Sequence, residues 1–317
     1  MTRGRLSLAA VLLVAVGAVI VVRIARSEEP PPAAAERPSE LILVVVETEV
    51  GPRTAVVGSR GSIAPAAVVL PDRVAITIPG QGDGTVGDAG ALSGRSAATA
   101  AANLLGVWIP HHVTLDERTL RNVVDRAGGL EVGDTTMSGA ETAAALEGSD
   151  EIWATTLEAL LRQATWEAGD LPVSDSPTRA AEVLNAARGS RVTVLPGEEV
   201  SGGLLRPDLG AIRTFVTAAW GVPDREVLPL IVLNGSGAPG VGEPVAERVI
   251  AGGFRVVVSE NASSFDHETT MVVVASEGDR ALGERVRDLL GIGEVQVAGP
   301  ASGIADVTVV VGKDFEV

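Results

Sequence analysis

The chain lacks cysteine and tyrosine altogether among its 317 residues. Without thiols it can form neither disulfides nor thiolate metal sites, and it has no cysteine nucleophile. Aromatic residues make up only 3% of the chain, which disfavours stacking platforms for sugars or bases, although four tryptophans remain. Lysine occurs once, as Lys313, a bias that indicates a GC-rich genome rather than a function.

Positive charge is also scarce. The 25 basic residues are outnumbered by 41 acidic ones, and the formal net charge is −16. Such a surface repels nucleic acid and anionic lipid headgroups. We therefore expect neither as a general partner.

The clearest signal is an unbroken apolar run over residues 6–22. At about 1.5 Å per residue the run reaches roughly 26 Å as a helix, and snorkelling arginine side chains supply the remaining thickness of a bilayer. Two arginines precede the run and two follow it: Arg3, Arg5, Arg23 and Arg26. Residues 1–26 are therefore predicted to form a single N-terminal transmembrane anchor. A cleaved signal peptide, cut near residues 33–35, is the competing interpretation.

Charge and composition around this run predict where the rest of the chain lies. No acidic residue precedes Glu28, which favours an N-terminus in the cytoplasm and a body outside it, as in a single-pass protein of a bacterial cell membrane. Residues 27–40 are rich in proline, alanine and glutamate, and they are predicted to form an extended linker without chemistry.

An α/β pattern begins at residue 41. Short β-branched runs bounded by glycine and proline predict strands at 41–47, 66–70, 74–78, 130–132 and 192–195. Caps and helical periodicity predict helices at 96–105, 116–127, 138–146, 151–166, 177–188 and 209–220. We predict one α/β domain over residues 41–225 and a smaller domain over residues 229–317.

The smaller domain opens with a glycine-rich stretch, LIVLNGSGAPG, that is typical of a dinucleotide-binding fold. The nine residues 261–269 then lead directly into another strand, which favours an antiparallel hairpin over a parallel crossover. The pattern predicts a β-α-β-β-α-β, ferredoxin-like α+β domain, with glycines that serve turns. NAD binding is disfavoured; an anion held at the following helix start is a minor alternative.

Two other stretches invite a metal-site hypothesis. His111 and His112 are adjacent in a strand-like segment, so their side chains point to opposite faces and cannot share one metal there. Asp83 and Asp88, in and just after the glycine-rich segment 80–84, could bind a cation through oxygen, but the regular ligand alternation of a calcium loop is missing. We interpret this segment as a flexible turn. The motifs of common hydrolases and kinases are absent as well.

Two longer stretches resemble the LytR-CpsA-Psr family of bacterial cell-envelope proteins. LLGVWIPHHVTLDERTLRNVVDRAGGLEV, at residues 104–132, is similar to a segment of the family's α/β domain. Residues 232–313, with VLNGSGAPG, AGGFRVV, NASS and ADVTVVVGKD, resemble the LytR C-terminal domain often fused to it. The resemblance covers roughly residues 41–317. The resemblance implies a mixed sheet flanked by helices in the first domain. A single membrane anchor is a further feature that this chain would share with the family.

Family enzymes move a glycopolymer from a polyprenyl-pyrophosphate carrier onto peptidoglycan, and the resemblance implies arginines for the pyrophosphate and carboxylates for magnesium. This chain departs from that pattern. Where the family has Ile-Pro-Arg-Asp, it has Ile78-Pro79-Gly80-Gln81, and the upstream Arg-x-Asp has no counterpart at residues 53–62. Of the arginines near residues 150–163, only Arg162-Gln163 matches.

We therefore expect a degenerate relative that binds or scaffolds without catalytic, cofactor-binding or metal-binding residues. Its expected partners are the membrane, through the anchor, and a wall glycan, a polyprenyl lipid or envelope proteins. The alternative is an active phosphotransferase with magnesium and a rearranged site. Its candidate residues are Arg60, Arg73, Arg95, Asp83 and Asp88.

Overall fold

The computed structural model describes residues 40–60, 63–298 and 303–316. The predicted anchor and the linker before residue 40 lie outside these ranges. Among the described residues, no helix is long and apolar enough to cross a membrane. Everything described below belongs to one compact unit, Ser39–Val317.

The first part of this unit, here called the first lobe, runs to residue 220 and is built on a mixed sheet. Its strands follow in chain order: β1 (Glu40–Thr48), β2 (Gly51–Arg60), β3 (Ile63–Leu70), β4 (Ala75–Ile78), β5 (Gly82–Thr85), β6 (His111–Leu115), β7 (Leu130–Val132), β8 (Thr135–Met137), β9 (Val173–Ser174), β10 (Arg191–Val194), β11 (Gly197–Glu199) and β12 (Leu205–Pro207). The large sheet has the order β10-β3-β2-β1-β6-β9. β1 is antiparallel to β2 and parallel to β6. The predicted mixed α/β architecture is thereby confirmed.

Helices cover both faces of this sheet. They are α1 (Val86–Leu92), α2 (Gly94–Leu105), α3 (Glu117–Arg126), α4 (Gly139–Ala145), α5 (Asp150–Gln163), α6 (Pro177–Ala186) and α7 (Leu209–Trp220). α2 and α7 pack on one face, whereas α3, α5 and α6 pack on the other. Because both faces are covered, residues 41–46 of β1 are all buried, which explains why this strand is apolar without alternation.

Local sequence sets the helix ends. The Asp116 side chain accepts the Thr119 N–H at 2.7 Å and starts α3, as the capping pattern predicts. Ser138 and Glu141 form a capping box at the start of α4. α2 ends at Gly106, whose φ of 67° is a left-handed conformation that glycine adopts readily.

The second lobe is a smaller α/β layer. Its elements are β13 (Leu228–Asn234), α8 (Gly242–Ala251), β14 (Phe254–Asn261), β15 (Met271–Val274), α9 (Arg280–Leu290), β16 (Glu294–Val297) and β17 (Val307–Val311). Its sheet has the order β14-β13-β17-β15-β16. β13 is parallel to both β14 and β17, while β15 runs antiparallel to β17.

The predicted ferredoxin-like arrangement of this lobe is wrong. β14 pairs with β13 and forms a sheet edge, and β15 lies three strand positions away, a distance of about 14 Å. Nine residues span this easily, because an extended chain covers roughly 3.3 Å per residue. The connection is held across the strand ends, where Ala262 N donates to Asn234 O at 2.8 Å and His267 N donates to Gly235 O at 3.2 Å. Loop length alone therefore did not select a hairpin.

The glycine-rich segment after β4 is also more ordered than predicted. Instead of a flexible turn, Gly82–Thr85 forms β5 and pairs antiparallel with β4, with Ala75 opposite Thr85 and Ile78 opposite Gly82. Thr85 then caps α1 in a capping box with Asp88. The short polar strand forms because its partner strand precedes it directly in the chain.

The two lobes share one apolar core. The cluster that contains Leu43 and Val56 of the first lobe continues through α2 into Val245, Val256 and Val309 of the second lobe. α2 packs directly against α8. Burial of this apolar surface, rather than the short connection at residues 221–227, holds the lobes together.

A polar bridge fixes their register. Asn103, on α2, is 3% exposed. Its amide nitrogen donates to Val256 O at 2.8 Å, and its amide oxygen accepts Val256 N–H at 2.7 Å. Val256 lies on the edge strand β14, beside a bulge at which Leu230 and Ile231 pair with Val256 and Val258. The Asn103 carboxamide thus acts like the peptide group of a neighbouring strand.

We expect Asn103→Ala to loosen the junction of the lobes. The change leaves the buried N–H and C=O of Val256 without partners, at a cost of about 2–4 kcal/mol. Chemical denaturation measures the loss of stability. Limited trypsin digestion followed by mass spectrometry should show faster cleavage after Arg255, which lies at the junction.

Asn185→Ala is the matched control. The Asn185 side chain bridges the N–H and C=O of Trp166 at 3.1 and 2.8 Å, the same double contact placed inside the first lobe. This variant should lose stability without faster cleavage after Arg255. Equal cleavage in both variants would show that Asn103 has no particular role at the junction.

Candidate functional site

The turn after β4 meets the start of α8 at the junction of the lobes. Gly80 N donates to Ser259 Oγ at 2.7 Å. Gly80 has a φ of +84°, and a Cβ there would lie 3.2 Å from Glu243 N. A Cβ on Gly242 would lie 2.6 Å from Gly80 Cα, which is too close for any side chain. The two backbones therefore touch because both positions are glycine.

A cleft of about 100 Å³ lies beside this contact, lined by the turn at Gly80 and Gln81, the loop at residues 240–242 and the end of β14. The resemblance places the family's arginine and aspartate at positions 80 and 81. In this chain Gly80 contacts the second lobe, and Gln81 lines the cleft beside that contact.

Arg95 is one of the arginines proposed for a rearranged site. It forms a two-pronged ion pair with Glu247 of α8, with Nε–Oε1 and Nη2–Oε2 distances of 2.7 and 2.6 Å. This contact raises the pKa of the Arg95 guanidinium. Arg95 therefore ties α2 to α8.

Glu243 lies in the same interface but is less well satisfied. Its Oε2 accepts the Ser96 hydroxyl at 3.3 Å, whereas its Oε1 is buried without a hydrogen-bond partner among the described residues. Burial raises the pKa of the Glu243 carboxyl, and the nearby charge of Glu247 adds to the effect. A half-buried carboxylate at this interface opposes docking when it is ionised.

Arg53 performs a structural task in β2. It is 8% exposed; its Nε donates to Leu146 O at 2.9 Å, its guanidinium also reaches Gly148 O, and Nη1 lies 3.3 Å from Asp150 Oδ1. Burial raises the pKa of Asp150, and Arg53 opposes this rise. Arg53 thus fixes the loop before α5.

Arg73 lies near the same corner, and its charge also acts on Asp150. It is exposed, and its Nη1 lies 3.9 Å from Glu199 Oε1. The Arg60 side chain lies outside the described part of the structure. Arg73 and Arg95 thus each contact a different glutamate, Glu199 and Glu247, rather than a shared ligand position.

The rearranged-site hypothesis also included two aspartates, Asp83 and Asp88, which do not form a cation site with Arg73 and Arg95. Asp83 is exposed on β5. Asp88 Oδ2 accepts the N–H and hydroxyl of Thr85 at 2.9 and 2.8 Å. Across the described ranges, no group of three histidine or acidic side chains is placed to hold a metal ion. Asp83 and Asp88, as the structure describes them, therefore do not fit the magnesium site that the family resemblance implies.

Gln163, from the matching Arg162-Gln163 pair, is also structural. Its side chain accepts from Glu131 N and donates to Glu131 O, both at 2.8 Å, and so joins the end of α5 to β7. Arg162 is exposed, 4.0 Å from Glu158 on the same helix.

His111 and His112 both lie beside Asp175, a contact that sequence spacing did not reveal. His111 Nδ1 is 3.2 Å from Asp175 Oδ2, and the His112 backbone N–H donates to Asp175 Oδ1 at 3.2 Å. Burial lowers the pKa of His112. The pairing of β6 with β9 brings Asp175 to this place from more than 60 residues further along the chain. The contact fastens the edge of the large sheet.

The glycine-rich loop after β13 is closed to a nucleotide. Residues 228–261 do form the parallel β-α-β unit of a dinucleotide fold. However, Asn234 Oδ1 accepts the N–H groups of Ser236 and Gly237 at 3.2 and 3.1 Å, so these amides are occupied. Gly235 and Gly237 make room for the rings of His267 and Phe265. At the start of α8, Gly80 contacts Gly242 beside the cleft described above, and the anion site considered there stays a prediction.

Residues 228–315 match the family model LytR_C, described as LytR cell envelope-related transcriptional attenuator. The match covers all the strands and helices of the second lobe that are given above, and it confirms the C-terminal part of the predicted resemblance. No curated protein sequence matches the chain.

Similar solved structures include the LytR-CPS2A-psr family protein YwtF (TagT) with bound octaprenyl pyrophosphate lipid, with 14% identity, a TM-score of 0.48, and coverage of 59% of this chain and 92% of that one. The transcriptional regulator yvhJ from Bacillus subtilis has 15% identity, a TM-score of 0.49, and coverage of 59% and 99%. TagV from B. subtilis has 14% identity, a TM-score of 0.48, and coverage of 59% and 98%.

We expect Glu243→Gln to stabilise the protein increasingly as pH rises. The pKa of Glu243 is raised in the folded protein. The folded state is therefore favoured most when Glu243 is protonated, below the pKa of an unfolded glutamate, which is about 4.3. This stability is lost as the pH rises through the pKa of Glu243 in the folded protein. Glutamine keeps the shape and cannot ionise. Thermal melting between pH 4 and 8 should show a small difference from wild type at the acid end and a higher melting temperature for the variant at pH 8.

Glu284→Gln, on the exposed face of α9, is the control. Its melting temperature should change between pH 4 and pH 8 by nearly the same amount as that of the wild-type protein. If the melting temperatures of Glu243→Gln and wild type run parallel over this range, the proposed titration of Glu243 at the interface is refuted.

Proposed function

We propose that this protein is a single-pass cell-envelope protein whose body lies outside the cytoplasm and binds or scaffolds rather than catalyses. The apolar run at residues 6–22 and its flanking arginines support the anchor. The LytR_C match over residues 228–315 supports the cell envelope as its place of action. The net charge of −16 disfavours DNA as the partner.

The contact between Gly80 and Gly242 carries the non-catalytic part of this proposal. Transfer from a polyprenyl-pyrophosphate carrier requires guanidinium groups that hold the diphosphate as charge shifts to the leaving group. At the position where the resemblance implies such an arginine, this chain has a glycine with a φ of +84° pressed against α8. An arginine there would be strained in its backbone, and its Cβ would crowd the Glu243 backbone at the start of α8.

Two other arginines, Arg53 and Arg95, support the same interpretation. Arg53 is buried in contacts that hold a loop, and Arg95 is paired with Glu247. The carboxylates proposed for magnesium, Asp83 and Asp88, are an exposed strand residue and a helix cap. We therefore derive no step through magnesium.

The proposed ligands are a wall glycan, a polyprenyl lipid or another envelope protein. A two-lobed scaffold should hold its lobes in one orientation. The shared apolar core and the hydrogen bonds of Asn103 to Val256 hold the two lobes together. The competing function is a glycopolymer phosphotransferase. It would depend on Arg73, which is exposed near Asp150 at the corner of the first lobe.

Binding without turnover is the expected result. The full-length protein in detergent should co-sediment with wall sacculi or bind a polyprenyl-pyrophosphate glycan. With magnesium present, it should release phosphate no faster than a protein-free control. Missing guanidiniums typically cost a hundredfold or more in rate, so a residual activity near background is expected.

Arg73→Gln is the decisive variant, and Arg280→Gln, which alters an exposed arginine paired with Glu277, is its control. Neither should change the rate of phosphate release. Release well above background that Arg73→Gln abolishes and Arg280→Gln does not would establish the phosphotransferase instead.

A further inference from the structure

A second cavity at the junction of the lobes, here called the arginine pocket, has a different character from the cleft at Gly80. Its volume is about 200 Å³, and it lies between the end of α2, the helix α7 and the connection at residues 221–227. Three guanidinium groups line it, from Arg213, Arg225 and Arg255. This concentration of positive charge is notable in a chain with a net charge of −16.

Arg255 is the most deeply placed of the three. Its Nε donates to Asn103 O and its Nη2 donates to Leu104 O, both at 3.0 Å. Burial lowers the pKa of the Arg255 guanidinium. Both partners are neutral carbonyl oxygens at the end of α2, so no carboxylate among them balances the charge. A largely buried cation in this state gains from an anion that enters the pocket.

The other two arginines come from the pocket wall. Arg213 Nε lies 3.2 Å from Asp224 Oδ1 and is half exposed. Arg225 lies on the exposed connection and lines the cavity next to Glu226. Two carboxylates lie near these three cations: Asp224, which pairs with Arg213, and Glu226, which lines the pocket. Positive charge therefore remains in excess.

A fourth guanidinium lies near Arg225. Arg285 of α9 reaches the carbonyl oxygen of Gly252. A Cβ on Gly253 would lie 3.5 Å from both Arg285 Nη2 and Arg225 Nε, so the two side chains approach the same stretch of backbone. Arg285 does not line the pocket, but it lies near Arg225 beside Gly253.

We propose that the arginine pocket binds a phosphate group. Arginine forks match phosphate and carboxylate oxygens. Arginines from α7, the connection and β14 line this one small cavity, and a phosphate offers more oxygens to several such donors than a carboxylate does. The site is separate from the positions at which the family resemblance implies pyrophosphate, because it lies at residues 213, 225 and 255. It does not depend on the proposed scaffolding role.

An adjoining groove has room for the organic part of a phosphate ester. Its volume is about 210 Å³, and it shares Leu209 and Arg255 with the arginine pocket. Ala75, Ile76 and Val257 contribute to its lining. A phosphate held by the arginines could therefore carry a short carbon stem, either from a soluble ester or from a lipid headgroup.

Isothermal titration of the full-length protein in detergent, at constant ionic strength, tests the proposal. Inorganic phosphate, glycerol 3-phosphate and a short-chain phosphatidic acid serve as probes, up to about 10 mM. We expect saturable binding of phosphate compounds and none of succinate. Phosphatidic acid that binds at least tenfold more tightly than glycerol 3-phosphate assigns the group to a lipid; comparable affinities assign it to a soluble ester.

Arg213→Gln and Arg225→Gln should each weaken phosphate binding at least tenfold, because each removes a charge-assisted hydrogen bond. Both side chains are exposed, so these variants are expected to fold. Glu226→Gln should strengthen binding by removing a competing negative charge. Arg280→Gln, an exposed arginine with a single carboxylate partner, Glu277, is the matched control for Arg213 and should leave binding unchanged.

Absence of phosphate binding by the wild-type protein, equal binding of succinate, or unchanged affinity in both arginine variants would each overturn the proposal.

Discussion

The arrangement of the two lobes depends on how the polar backbone of the edge strand β14 is satisfied. An exposed strand edge presents unpaired N–H and C=O groups, and burying it without partners is costly. Asn103 supplies both partners for Val256 at 2.7 and 2.8 Å, and Thr77 donates its hydroxyl to Val257 O at 3.2 Å. The first lobe thus completes the second sheet with side chains, and the polar backbone of this edge is satisfied where the apolar core runs through the junction.

Glycine at two facing positions sets how closely the lobes approach. Gly80 and Gly242 bring their backbones into contact where any side chain would intervene. This contact occupies the position at which the family resemblance implies an arginine. Close packing and a charged ligand site cannot coexist there. The glycine that admits the second lobe therefore stands where the resemblance implies an arginine.

Arginine serves this acidic chain mainly as an internal tie. Arg53 holds the loop before α5, Arg95 joins α2 to α8, and Arg126 pairs with Asp170. In each case one partner of the guanidinium is a carboxylate of the protein: Asp150, Glu247 and Asp170 respectively. The arginine pocket differs, because Arg255 meets neutral carbonyl groups. That contrast separates the structural arginines from Arg255.

Features that depend on neighbours along the chain could be predicted from the amino-acid sequence. Capping residues such as Asp116 and Ser138 mark helix starts because their partners lie three residues on. Fully apolar runs such as residues 41–46 identify buried strands. The motifs around Asn234 and Lys313 pointed to the LytR C-terminal domain, which the family match confirms. The departure at Gly80 was likewise visible as a change of residue type.

The tertiary structure decided what depends on partners far away in sequence. Residues 261–269 cross the sheet instead of forming a hairpin because hydrogen bonds to Asn234 and Gly235 hold them there, and no local pattern encodes that path. Asn103 finds Val256 153 residues away. The length and composition of a loop are compatible with several ways of pairing the strands that it connects. Only the packing of the whole chain, which must satisfy every buried polar group at once, selects among them.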